Sequence, residues 1–281
     1  MKKIRLVGAS VFVLFCACVL IAQGQTLKRV STKTDKLDFG VGGTVAIMGA
    51  PSGSIRVEAA ERNEIEITAE ITLEAANEAD LAALEKVTGF ITDESPGRIA
   101  INSVGTNNSK YVKSVDKKFP KRLVGLPFSI DYVVKVPRYC DLQIDAGKGD
   151  LTVSGIEGAL RINGLETNAA LDLVGGGLTA TFQKGNIIVK MPDRNWRGSG
   201  IDIALANGEM EAYFPVNLNA DFDASILRTG RIENGLLDLK PRVRSVKFTE
   251  QSISAKAGLG GISMKFTVGD GTLRLKTIGK D

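Results

Sequence analysis

From Leu142 onward an apolar residue returns every nine positions. Leu142, Leu151, Leu160, Ala169, Leu178 and Ile187 form one series; Ile144, Val153, Ile162, Leu171, Ala180 and Val189 form a second, two residues behind. Both run six times without a slip. Apolar residues two apart with polar ones between are the pattern of a pleated strand with one face inward. In Leu151-Thr152-Val153-Ser154 the aliphatics point one way and the hydroxyls the other. Turn formers separate these units: Gly155-Ile156-Glu157-Gly158, Gly164-Leu165-Glu166-Thr167, Gly175-Gly176-Gly177 and Gln183-Lys184-Gly185-Asn186. Glycine and asparagine tolerate the positive φ that sharp corners need. A short strand plus a corner in nine residues is half a coil, and two halves make a flattened coil of about 18 residues. The expected fold is therefore all-β, a single-stranded β-solenoid or β-roll with about nine residues per half-coil. Burying each inward aliphatic contributes about 1–3 kcal/mol, so only the stacked sum offsets chain entropy. An antiparallel meander of nine-residue hairpins has the same alternation and is the competing architecture.

The array is interrupted at 192–200, which carries the single tryptophan, Trp196. An interruption is a natural place for a surface contact, while a large aromatic also suits covering the core. The pattern resumes at Ile201, Ile203 and Leu205, then at Met210, Ala212 and Phe214, and continues at Leu218, Ala220 and Phe222. After a looser stretch it returns at Ile253, Ala255 and Ala257, then Ile262, Met264 and Phe266, and closes at Leu273 and Leu275. The solenoid region is thus expected over 137–281, continuous with an N-terminal β region over 25–136. In that region Val45 and Ile47, Ile55 and Val57, and Ile65 to Ile71 alternate as strands, and Phe128 to Val136 is a further one. One short helix is expected near 77–88: Asn77 is a good N-cap, Leu81, Leu84 and Val87 share a face, and Gly89 stops it.

Residues 104–125 fit no regular pattern. They hold Lys110, Lys113, Lys117, Lys118, Lys121 and Arg122 against one acid, Asp116. One reading is a solvated loop or hairpin. The other is a contact with an anionic envelope polymer, lipid headgroups or an acidic protein.

Met1-Lys2-Lys3-Ile4-Arg5, an apolar run to Ala22, and small residues at Ala22 and Gly24 form the pattern of a secretory signal peptide, residues 1–24. The expected product is exported, periplasmic or at the cell surface, and not an integral membrane protein. Lipidation at Cys18 is the minor alternative: Ala17 suits it and Phe15 does not. Cleavage removes Lys2, Lys3 and Arg5, which leaves 33 basic and 32 acidic residues of the original 36 and 32. A near-neutral chain argues against a nucleic-acid partner. Cleavage also removes Cys16 and Cys18, so Cys140 has no disulfide partner and is expected to be a buried thiol.

The chain has no histidine. That excludes Ser-His-Asp and Cys-His catalysis and histidine-ligated zinc. No phosphate-binding loop is present. No cofactor, metal or catalytic residue is assigned. Two acids, Asp221 and Asp223, share the outward face of one strand, and carboxylate-dependent polysaccharide cleavage by a β-helix enzyme is the alternative function. Asp150 and Asp270 lie among glycines, but no aspartate repeats in register as calcium-binding β-rolls require.

Val136-Pro137-Arg138-Tyr139-Cys140-Asp141-Leu142, Gly147 to Gly155, Phe214 to Ser225, and Val268 to Leu275 resemble the bacterial putative-adhesin β-solenoid family, an adhesin-like domain of unknown function. The resemblance spans about 40–278 and is strongest from 130 on. It implies an exported, non-enzymatic, repetitive β protein with a binding or structural role at the cell envelope. It supplies no catalytic residues. The helix and the lysine-rich insertion depart from the simpler members.

Overall fold

The computed structural model describes residues 26–192, 196–236, 239–243, 245 and 247–278. The proposed signal segment with Cys16 and Cys18, and Asp193 to Asn195 of the interruption, lie outside these.

The chain is mostly β, with 16 strands among the described residues in one hydrogen-bonded sheet. In order these are β1 (Leu27–Asp38), β2 (Thr44–Met48), β3 (Ile55–Ala60), β4 (Glu64–Ala75), β5 (Gly89–Ser95), β6 (Arg98–Val104), β7 (Phe128–Pro137), β8 (Asp141–Ser154), β9 (Glu157–Asp172), β10 (Gly175–Lys190), β11 (Gly198–Phe214), β12 (Ala220–Ile226), β13 (Gly230–Asn234), β14 (Leu239–Pro241), β15 (Ser252–Ala257) and β16 (Ile262–Thr277). Helix α1 is Glu78–Val87 and α2 is Ser109–Val115, followed by a 3-10 turn at Lys121–Leu123.

The nine-residue period is explained by the pairing of β8 to β11. Leu142 lies beside Leu160 and Leu151 beside Ala169, all parallel, each partner two periods further along the chain. Leu160 continues to Leu178 and Ala169 to Ile187. One long strand thus carries both nine-residue halves of a rung. Nine is odd and a strand alternates with period two, so in a straight strand Leu142 and Leu151 would face opposite sides. Both are buried, as are Ile144 and Val153. The pleat must therefore reverse between the halves, and a corner does it. Gly185, Gly208, Gly271 and Gly230 stack there in register, with φ between +134° and +150°. A Cβ on Gly208 would lie 1.9 Å from the carbonyl oxygen of Gly185, so Gly208 admits no side chain.

At the N-terminal end β8 is flanked by two strands. β2 pairs with its first half and β3 with its second, both parallel. Each begins a separate ladder, β2–β6–β5 on one side and β3–β7–β4–β1 on the other. The inward residues of both ladders join one apolar core.

The C-terminal end departs from sequence order. The expected continuation from Phe214 to Phe222 is not a spatial neighbour pair of strands. β16, the last strand, lies between β11 and β12, parallel to both. Its second half pairs with β13. Phe214, Phe222 and Phe266 are fully buried and meet around this insertion, with ring centroids 5.4–5.6 Å apart. β15 and β14 then close the edge in antiparallel fashion.

Three local expectations are also revised. Gly175 to Gly177 lies just inside β10, paired with Glu157 to Ala159 and with Gly176 at φ +89°, and the break before it falls at Leu173 and Val174. The interruption before Ile201 is shorter than 192–200, since β11 begins at Gly198. The step from Leu178 to its partner Ile201 is correspondingly longer than the two periods that separate earlier partners. The short helix near 77–88 is α1, capped by Asn77, whose side chain accepts from the Asp80 N–H, but it is joined by α2 and the 3-10 turn.

Candidate interaction surface

The lysine-rich insertion is anchored from below. Val112, Phe119 and Leu123 are buried, and Asn108 caps α2 by accepting from the Tyr111 N–H. The Thr106 hydroxyl donates to the Leu126 carbonyl, which ties the base of the segment together. Residues 104–125 are thus a folded appendage with its own apolar underside, and the plain solvated-loop reading does not describe them.

The six basic residues separate into two kinds. Arg122 donates to Asp80, the buried acid of the first turn of α1. Asp80 also accepts from the Asn77 side chain. Arg122 therefore fastens the insertion to α1 and neutralises a carboxylate that would otherwise be buried without a charged partner. Lys110, Lys113, Lys117, Lys118 and Lys121 are exposed, and among the described residues none forms an ion pair. Elsewhere basic residues are commonly matched. Arg274 bridges Glu209, Glu211 and Glu233 across neighbouring strands. Lys36 and Lys135 both bond Glu66 and hold its carboxyl down to about 2.

Trp196 is half-buried and packs against the core. Its indole N–H is shielded from solvent and has no hydrogen-bond partner among the described residues. The ring covers apolar surface, and the indole nitrogen is turned away from any outside ligand. Cys140 is buried, and burial, reinforced by the charge of Asp141, pushes its thiol up to about 12.

The acids singled out for chemistry are each engaged separately. Asp223 accepts from Arg242 at 2.7 Å. Asp221 accepts from the Gly261 N–H at 3.4 Å. Asp150 accepts from Asn168, and Asp270 is bonded to Arg228. Among the described residues no three acidic or cysteine side chains gather as a metal site. No helix among them is long and apolar enough to cross a membrane.

Solved structures that match this chain include two at low identity. A putative cell adhesion protein from Clostridium sporogenes is 11% identical, with a TM-score of 0.46 over 89% of this chain and 100% of its own. A putative adhesin from Bacteroides fragilis is 9% identical, with a TM-score of 0.39 over 88% of this chain and 97% of its own. No protein-family model matches this sequence, and no curated protein matches it significantly.

Proposed function

We propose that this chain is an exported, non-enzymatic β-solenoid of adhesin-like type that binds an anionic component of the cell envelope through the 104–125 appendage. The observation that carries the reading is the set of exposed lysines between Lys110 and Lys121, without ion-pair partners among the described residues and held on a segment the repeat does not need. Lysines left without acids on a buried-footed platform are available to an outside partner. The parallel register, at twice the sequence period, supports a solenoid or roll, because each rung buries its apolar halves only against its neighbours. The signal-like segment 1–24 supports export, and the resemblance to adhesin-like repeats supports a binding or structural role.

The test is retention of the mature chain on immobilised envelope polymers and on vesicles containing anionic lipid, across a salt series. Changing Lys110, Lys113, Lys117, Lys118 and Lys121 to glutamine, with Arg122 kept, should abolish retention and flatten the salt dependence. Equal retention of the two proteins refutes the assignment.

A further inference from the structure

Asn107, at the base of the same appendage, lines a surface groove of about 630 Å³. That volume is within the range of small-molecule sites. The groove is built from separate parts of the chain. Asn107 comes from the loop before α2, Ala50 and Pro51 from the loop between β2 and β3, Asp145 to Gly147 from β8, and Asn163, Thr181 and Gln183 from the outer face of β9 and β10.

Gly147 and Gly164 line it without side chains. A Cβ on Gly147 would lie 2.4 Å from the Ala50 carbonyl oxygen, and one on Gly164 would lie 2.6 Å from the Phe182 ring, so neither position accepts a larger residue without displacing a packed neighbour.

The lining is nearly uncharged and mostly apolar, with a few polar side chains set into it. Asp145 is its one acid, and it already accepts from the Asn163 amide at 2.7 Å. The side chains of Asn107, Thr181 and Gln183 make no hydrogen bond among the described residues and are exposed. Amides and a hydroxyl offer both donors and acceptors, the complement of a polyhydroxylated ring. Leu165, 47% exposed, adds an apolar patch for the C–H face of such a ring. Lys110 is three residues from Asn107, so their Cα atoms are at most about 11 Å apart. Lys184 follows Gln183 directly.

The geometry points to an acidic polysaccharide as the ligand, its hydroxyls seated in this groove and its anionic groups against the lysines of the appendage. The inference rests on the anionic-partner reading above and specifies its chemistry.

Three probes separate the contributions in calorimetric titrations of the mature chain: a galacturonate hexamer, a neutral glucose hexamer of the same linkage count, and polyphosphate. The acidic hexamer should bind most tightly. Gln183→Ala with Asn107→Ala should weaken it about tenfold, the effect of losing one or two hydrogen bonds. Thr181→Trp, which fills the groove from an exposed strand position, should abolish it. Neither change should alter polyphosphate binding, which the five lysine substitutions should remove. If the groove variants bind the acidic hexamer as the parent does, the groove assignment fails and the charged surface stands. If no anionic probe binds the parent, both fail.

Discussion

Gly208 shows what one residue contributes to this architecture. Its φ of +136° and the 1.9 Å approach of the Gly185 carbonyl to a would-be Cβ act together. Gly208→Ala should cost at least about 2 kcal/mol, from backbone strain plus displacement of a neighbouring rung. Gly97, in the hairpin between β5 and β6, has φ +72° but open space around it. Gly97→Ala should cost only about 1 kcal/mol, and urea denaturation of the two variants compares them directly. Buried titrating groups set a second expectation. Burial pushes the Tyr132 hydroxyl up to about 12, despite its hydrogen bond with Ser103, and Cys140 to the same range. Unfolded, these groups ionise near about 10 and 8.5. Their contribution is intact below about pH 8.5 and is lost as pH rises toward 12, because the unfolded chain releases protons the folded one retains. The urea midpoint should fall between about pH 8.5 and pH 10.5, and less steeply in Cys140→Ala. The turn glycines were visible in the sequence, but which of them stand under a neighbouring carbonyl was not, since that depends on the rung above.

Helix α1 was legible because its signals are local: an N-cap, an apolar face and a stop, all between Asn77 and Gly89. The appendage was legible only as charge. Its buried residues, Val112, Phe119 and Leu123, are spread too widely to show a period, and α2 is confined to Ser109–Val115. The consequence for the candidate surface is specific. Arg122 reads in sequence as one more cation, yet it is the strut that joins the appendage to α1 through Asp80. Arg122→Ala should destabilise by about 1–3 kcal/mol by leaving Asp80 without its charged partner, whereas Lys117→Ala should stay within about 0.5 kcal/mol. Thermal melts of the two variants test this, and an equal effect would remove the distinction between strut and contact residues. The groove lining was beyond sequence reasoning altogether. Asn107, Asn163 and Gln183 are ordinary surface amides until the fold brings three distant segments to one corner.

At the scale of the whole molecule, the position of β16 matters most. The last strand is interior to the ladder, with β11 on one side and β12 and β13 on the other. Deleting residues 262–278 should therefore abolish cooperative unfolding, because β12, β13, β14 and β15 lose their attachment to the stack. Deleting β1 removes an edge strand paired only with β4 among the described residues, and a cooperative transition should persist. Circular dichroism melts of the two truncations check the contrast, and a two-state transition in the first would overturn it. The sequence by itself determined the rung: which residues face inward, how long a half-rung is, and that corners must be small. Those properties follow from period-two alternation and from glycine's backbone freedom, and both act over a few residues. Only the tertiary structure decided the order of the rungs, the split of the N-terminal strands into two ladders, and which cations stay unpaired. An apolar pair such as Met264 and Phe266 fits beside any rung of similar width. Its place between β11 and β12 is selected by the aromatic packing of Phe214, Phe222 and Phe266, residues that chain order alone does not bring together.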